Sequence, residues 1–234
     1  MVVHILKADT LAPNVAEIHG NYGELYSSGI RDAGYTGEIK VYEAVNLELP
    51  SSVDVASDSI LISGSKFCSY DNDEWIVKLA DFVASYIDKV PIVGICFGHQ
   101  IVARALGAQL GPNPNGWEVS GTTVTPTALA ERLFPELGAE PRFMEMHKDI
   151  VLELPKNTEV LFSTKECPIQ GFYRKSSVLT VQFHPEFDEL IVQAICRNRF
   201  EGEFLIDSLE WAKGTNNSRE CFQTIVKFLN RNLD

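Results

Sequence analysis

The chain has 234 residues, 45% of them apolar and 22% charged, enough to bury a sizeable core and too apolar for disorder. Its net charge of −12 argues against nucleic acid or an anionic membrane as partner. Five cysteines with no C-x-x-C pair, no run of about 18 apolar residues and no secretory pattern in Met1-Val-Val-His-Ile-Leu-Lys7 argue against a disulfide framework, a membrane span and export, so a reducing, cytoplasmic setting is expected.

Val2 to Leu6 reads as a first buried strand. Val15, Ile18, Tyr22, Leu25 and Tyr26 recur at helical spacing, which predicts one helix capped by Asn14 and stopped by Gly34. Ile39–Tyr42 reads as a second strand, with a polar loop around Pro50 after it. Ser59-Ile-Leu-Ile-Ser63 is a third apolar strand, and it runs into Gly64-Ser65-Lys66. Trp75, Leu79, Phe82, Val83 and Ile87 mark an amphipathic helix. Short apolar strands alternating with helices predict a mostly parallel α/β sheet, in which ligands bind beyond the carboxyl ends of the strands.

Beyond Gly107 the pattern changes. Gly111-Pro-Asn-Pro-Asn-Gly116 reads as turns. Val119–Thr125, Arg142–Met146, Val160–Thr164, Phe172-Tyr173 and Val178–Phe183 read as short strands of an antiparallel extension. Two closing helices are predicted, one through Ile191, Ala194 and Ile195, the other through Cys221, Ile225, Phe228 and Leu229. With no repeat, low-complexity stretch or clear linker, residues 1–234 are expected to form a single domain.

The most informative stretch is Val90-Pro-Ile-Val-Gly-Ile-Cys96-Phe-Gly-His-Gln100. A buried strand, a small-x-Cys-x-small turn and an immediate helix are the pattern of a nucleophile elbow. Gly94 and Gly98 leave room for the turn, the helix N-terminus faces the sulfur and favours thiolate, and the Phe97 N–H is available to an oxyanion. A strand-end cysteine is also a common core hydrophobe, so reactivity requires a base. Val181-Gln-Phe-His184-Pro-Glu186 offers one. An extended chain puts His184 and Glu186 on the same side, where the carboxylate orients the imidazole; the alternative is a surface turn. His99, His147 and His184 match no metal-ligand spacing, and Gly64-Ser-Lys-Phe-Cys68 lacks a phosphate-loop pattern, so neither metal nor cofactor is expected.

Gly94-Ile-Cys96-Phe-Gly98-His-Gln100 and Gln182-Phe-His184-Pro-Glu186 resemble, in order, the two signatures of the class I, triad-type glutamine amidotransferases. The resemblance runs from the first strand to beyond Glu186. It implies a flavodoxin-like three-layer α/β sandwich with a mostly parallel sheet and a small antiparallel extension. It aligns Cys96 with the family nucleophile, His184 with the base and Glu186 with the orienting carboxylate. Ser63-Gly64-Ser65 stands where relatives carry Ser-Gly-Gly, so the Ser65 N–H would join that of Phe97 in the oxyanion hole, with the replaced glycine a departure. Gly64, Gln100, Gln170, Gly171 and Phe172 align with substrate-binding positions, although Gln100 also reads as a helix-surface residue and Gly171 as a turn glycine. Met146-His147-Lys148-Asp149 resembles a loop His-x-Asp near the family's active site, an orienting pair on one reading and a solvated turn on the other. The implied activity is cysteine-dependent hydrolysis of a γ-glutamyl amide, either glutamine or a γ-glutamyl peptide. The segment after Glu186 is short for a synthetase domain, so a stand-alone enzyme is expected. The alternatives are a glutaminase subunit feeding a synthetase partner and a catalytically weak regulatory homologue.

Overall fold

The structure, a computed structural model, describes residues 1–214 and 216–233. Apolar runs form the strands β1 (Val2–Lys7), β3 (Ser59–Ile62) and β4 (Ile92–Ile95), and an alternating polar and apolar stretch forms β2 (Glu38–Glu43) at the sheet edge. Between them lie α1 (Pro13–His19), α2 (Tyr22–Asp32) and α3 (Glu74–Tyr86), and α4 (Phe97–Ala105) follows β4. The middle of the chain supplies β5 (Leu110–Pro112), β6 (Glu118–Thr123), β7 (Thr125–Pro126), α5 (Ala128–Leu133), β8 (Arg142–His147), β9 (Asp149–Val151), β10 (Glu159–Ser163), β11 (Gly171–Arg174) and β12 (Val178–Val181). Three helices close it: α6 (Glu189–Arg199), α7 (Gly202–Trp211) and α8 (Ser218–Leu229).

The main sheet has eight strands in the order β2-β1-β3-β4-β12-β11-β10-β7. Pairing is parallel from β2 to β12 and antiparallel from β12 to β7. This is the mixed flavodoxin-like sheet expected from the sequence. Two antiparallel ribbons, β5-β9 and β6-β8, stand beside it.

Alternation along each strand sends side chains to opposite faces, where helices cover both. Val3, Ile5, Leu61, Val93, Ile95 and Val181 share one core with Tyr26 and Ile30 of α2 and Phe222 and Ile225 of α8. Leu6, Ile60, Ile62 and Ile92 share the other with Ile76, Leu79 and Val83 of α3 and Ile101 and Val102 of α4. The carboxyl ends of β1, β3, β4 and β12 therefore open at one edge of a sheet packed on both faces.

Several expectations change. The first helix is two helices, because Gly20 takes a φ of 84° and Asn21 starts α2 with a capping box to Glu24. Asn14 lies inside α1 behind Pro13, so it is not the cap. The Val119–Thr125 run is split at Val124 as the chain leaves the β6-β8 ribbon for the edge of the main sheet. Strand β5 occupies the start of the turn-rich segment because β9 pairs with it. Strand β12 stops at Val181, and His184 is held beyond it by a single bridge to Met144.

Candidate active site

Cys96 stands between β4 and α4 with φ 52° and ψ −104°, a backbone that L-residues rarely adopt. Its surroundings show why glycines flank it. A Cβ at Gly94 would meet the Gly98 carbonyl oxygen at 2.5 Å, and one at Gly98 would meet the Ile62 carbonyl oxygen at 2.4 Å. The elbow is thus wedged between β3 and its own helix, with the Cys96 N–H bonded to the Val181 carbonyl (2.9 Å) and the Gly98 N–H to that of Ser63 (3.1 Å). Between those two, the Phe97 N–H has no acceptor among the described residues.

A similar alternation occurs on the loop after β3. The Gly64 N–H donates to Tyr26 Oη (3.2 Å), the Lys66 N–H to Asp9 Oδ2 (2.8 Å) and the Phe67 N–H to Ser65 Oγ (3.2 Å). The Ser65 N–H is left without an acceptor among the described residues. Two unspent N–H donors thus sit on the loops that carry Gly64 and Cys96.

His184 is buried with its ring stacked on Phe187 at 4.2 Å and its N–H bonded to the Met144 carbonyl (2.8 Å). Its Nδ1 meets Glu186 Oε1 at 2.7 Å, and the ring also hydrogen-bonds with the Cys96 side chain, which leaves Nε2 for the sulfur. A Cβ at Gly64 would lie 2.7 Å from His184 Cε1 and 3.6 Å from Cys96 Cβ, so the absent side chain makes space for the ring. His184 and Glu186 meet across a turn at Pro185, not along an extended strand. Burial opposes charge on this imidazole, but Glu186 and Cys96 outweigh it and raise the pKa above the ordinary histidine range.

A cavity of about 620 Å³ opens beside His184, lined by Asp9, Leu11, Tyr22, Phe187, Ile195 and Arg199 among others. A narrower one of about 30 Å³ borders Cys96, Trp117, His147 and Asp149. Ser65, Lys66, Met146 and Arg199 line both.

The class-I glutamine amidotransferase family model matches residues 15–199. The chain belongs to that family. Among its relatives, a glutamine amidotransferase-like protein of Schizosaccharomyces pombe is 35% identical over 208 residues, 83% of each chain. A protein of Arabidopsis thaliana named gamma-glutamyl peptidase 4 is 30% identical over 91% of this chain and 89% of its own. A glutamine amidotransferase structure from Thermotoga maritima superposes with a TM-score of 0.72 at 19% identity, over 99% of this chain and 98% of that one, and so shares the fold.

Of the residues aligned with this family's site, the structure brings together Cys96, His184, Glu186, Gly64, Ser65 and Phe97. Gln100 lines the narrow cavity, but its amide is engaged inside the protein. Nε2 donates to the Asp149 carbonyl (2.8 Å) and Gln182 Oε1 (3.1 Å), and Oε1 accepts from Ser69 Oγ (3.0 Å). It is neither a surface residue nor a free amide for a ligand; it holds the Asp149 segment in place. Gln170, Gly171 and Phe172 border neither cavity. Gln170 is fully buried, Phe172 packs against His99, and Gly171 is small because a Cβ would meet the Thr180 carbonyl oxygen at 2.4 Å. In this structure Gly171 and Phe172 pack β11 on β12, and the buried Gln170 side-chain amide has no partner among the described residues.

His147 and Asp149 are both buried, which rules out the solvated turn. Each has its own partner, His147 Nε2 with Glu145 Oε2 (3.0 Å) and Asp149 Oδ1 with Tyr70 Oη (3.1 Å). Burial disfavours charge on His147, but Glu145 and Glu118 raise its pKa above the usual value. His99 is held neutral by burial, its pKa lowered to about 3, with Nδ1 on Thr180 Oγ1 (2.8 Å). Sequence reasoning missed Tyr26, which donates to Glu186 Oε1 at 2.5 Å and accepts the Gly64 N–H, tying carboxylate and loop together. It missed Asp9 as well, which grips Lys66 through both N–H and Nζ (2.8 and 2.9 Å). An alternating helix face and a polar residue just after β1 were the only signals.

Proposed function

We propose that the protein hydrolyses γ-glutamyl amide bonds through a γ-glutamyl thioester on Cys96, with γ-glutamyl peptides preferred over glutamine. One observation carries the reading: a strained cysteine elbow faces a buried His–carboxylate pair, with two unspent N–H groups on the adjoining loops. In the first step the sulfur attacks the γ-carbonyl carbon. The S–C bond forms, the C–N bond breaks, and the proton on His184 Nε2 passes to the leaving nitrogen. The Ser65 and Phe97 N–H groups receive the oxyanion. Glu186 holds the imidazole in the required orientation and supports its charged form. Water then adds to the thioester and gives a proton to His184, the C–S bond breaks, and glutamate leaves with the Cys96 thiolate and the protonated His184 restored.

The peptide preference rests on the larger cavity. Glutamine releases ammonia, which needs no such space, whereas a volume of about 620 Å³ beside the proton donor suits an amino acid or short peptide as leaving group. The relative named gamma-glutamyl peptidase supports the same choice. Glutamate release from glutamine, glutathione and a glutathione S-conjugate, measured side by side with Cys96→Ser as blank, tests it. The peptides are expected to win, and Cys96→Ser to lose at least about 10³-fold in kcat. A wide margin for glutamine would overturn the peptide preference, and turnover appearing only with an added synthetase would favour the subunit reading.

A further inference from the structure

Among the described residues Arg174 is the one arginine of this chain in an ion pair, so an unpaired arginine is distinguished by what else touches it. Arg199, the last residue of α6, has no ion pair among the described residues. What holds it is aromatic. Its guanidinium lies 5.4 Å from the centre of the Trp117 ring, and that ring is braced edge-on by Phe200 at 5.2 Å. Stacking fixes the plane of a guanidinium and leaves its N–H edge free for a planar anion. Lys66, which also borders the large cavity, is already paired with Asp9 at 2.9 Å.

Position gives this free edge a use. Arg199 lines both the narrow cavity at Cys96 and the large one at His184. If the glutamyl carbonyl sits at Cys96, the leaving nitrogen points towards His184, and whatever it carries extends into the large cavity. Leu11, Val15, Phe187 and Ile195 make part of that cavity apolar. We infer that Arg199 binds the terminal carboxylate of the leaving group, which makes γ-glutamyl amino acids and short γ-glutamyl peptides with an apolar side chain and a free carboxyl end the favoured ligands. The inference rests on the hydrolase reading for the direction of the leaving group, but its test does not depend on turnover.

The experiment is calorimetric binding to the intact Cys96→Ser protein, which keeps the peptide uncleaved. The probes are γ-glutamyl-phenylalanine, its C-terminal amide and glutamine. The free acid is expected to bind about tenfold more tightly than the amide, the scale of a charge-assisted contact at a partly exposed site. Adding Arg199→Gln should abolish that difference and leave glutamine binding unchanged, and Arg199→Lys should restore part of it. Arg197→Gln, on the same helix but outside both cavities, should change nothing. Equal binding of acid and amide would overturn the assignment. So would a preference that survives Arg199→Gln, or a matching loss for glutamine, which would place Arg199 on the glutamyl α-carboxylate instead. Failure of hydrolysis with the discrimination intact would count against the proposed reaction alone.

Discussion

A buried imidazole ordinarily gives up its proton, because low-dielectric surroundings disfavour the charge. His184 is pushed the other way by the Glu186 carboxylate at 2.7 Å and by Cys96 beside it. In the proposed reaction the protonated ring is the acid for the leaving nitrogen, so activity persists while that proton is held and declines as pH rises through its raised pKa. Glu186→Gln removes the negative charge and lowers that pKa, so the alkaline limb of kcat/KM is expected to move to lower pH. The rate at neutral pH should fall by about 10² to 10⁴, the range for losing the orienting member of a triad. A pH–rate profile of the two proteins decides it: an unmoved alkaline limb would show that another group sets it. At this scale the proximity of Cys96, His184 and Glu186 was legible in the sequence, since each lies in a short signature whose chemistry is local. The burial of Gln100, Gln170 and Phe172 was not legible there. Whether a side chain faces a cavity or fills a core depends on neighbours remote in the chain, such as Asp149 against Gln100 and His99 against Phe172.

Two glycines of the site separate stability from function at the level of elements. Gly98 seats α4 against β3, and a Cβ there would strike the Ile62 backbone at 2.4 Å, where nothing can rotate away. Gly98→Ala should therefore cost about 1–3 kcal/mol of stability through overpacking, seen as a lower midpoint in denaturant. At Gly64 the first obstacle is the His184 ring at 2.7 Å, a side chain. Gly64→Ala should displace that ring and lower kcat with a smaller change in midpoint, and a larger stability loss at Gly64 than at Gly98 would contradict this account. The same dependence on contact explains which elements could be read ahead of the structure. The parallel strands and α3, α4, α6 and α8 carry apolar periodicity strong enough to stand alone. Helix α7 does not, because Phe204, Leu205 and Ile206 are consecutive and Ile206 is exposed. Helix α5 is six residues long, and β5 and β9 are three each, lengths that only pairing or capping stabilises, here Thr127 on the Ala130 N–H. The break between α1 and α2 was written in Asn21-x-x-Glu24, a capping box inside an otherwise continuous helical spacing.

The fold as a whole sorts the five cysteines into different environments. Cys167, Cys196 and Cys221 are fully buried, and burial pushes their thiols up, Cys196 to about 11 and the other two further. Cys68 is half-buried, and burial together with its hydrogen bond to Asp149 raises it too. Among the described residues, only Cys96 of the five borders either cavity of the site. Alkylation requires thiolate and access together, so the native protein should take up iodoacetamide at Cys96 first at neutral pH. Mass analysis of the intact protein should show one adduct, located to Cys96 by peptide mapping, and all five sites should react in denaturant once the cores are opened. A γ-glutamyl peptide bound beforehand should slow the single native reaction without affecting the denatured ones, because it occupies the cavity through which the reagent arrives. Native labelling at Cys68 with Cys96 untouched would mean that the sheet edge is closed to a small electrophile, and the proposed covalent route could not operate in that conformation.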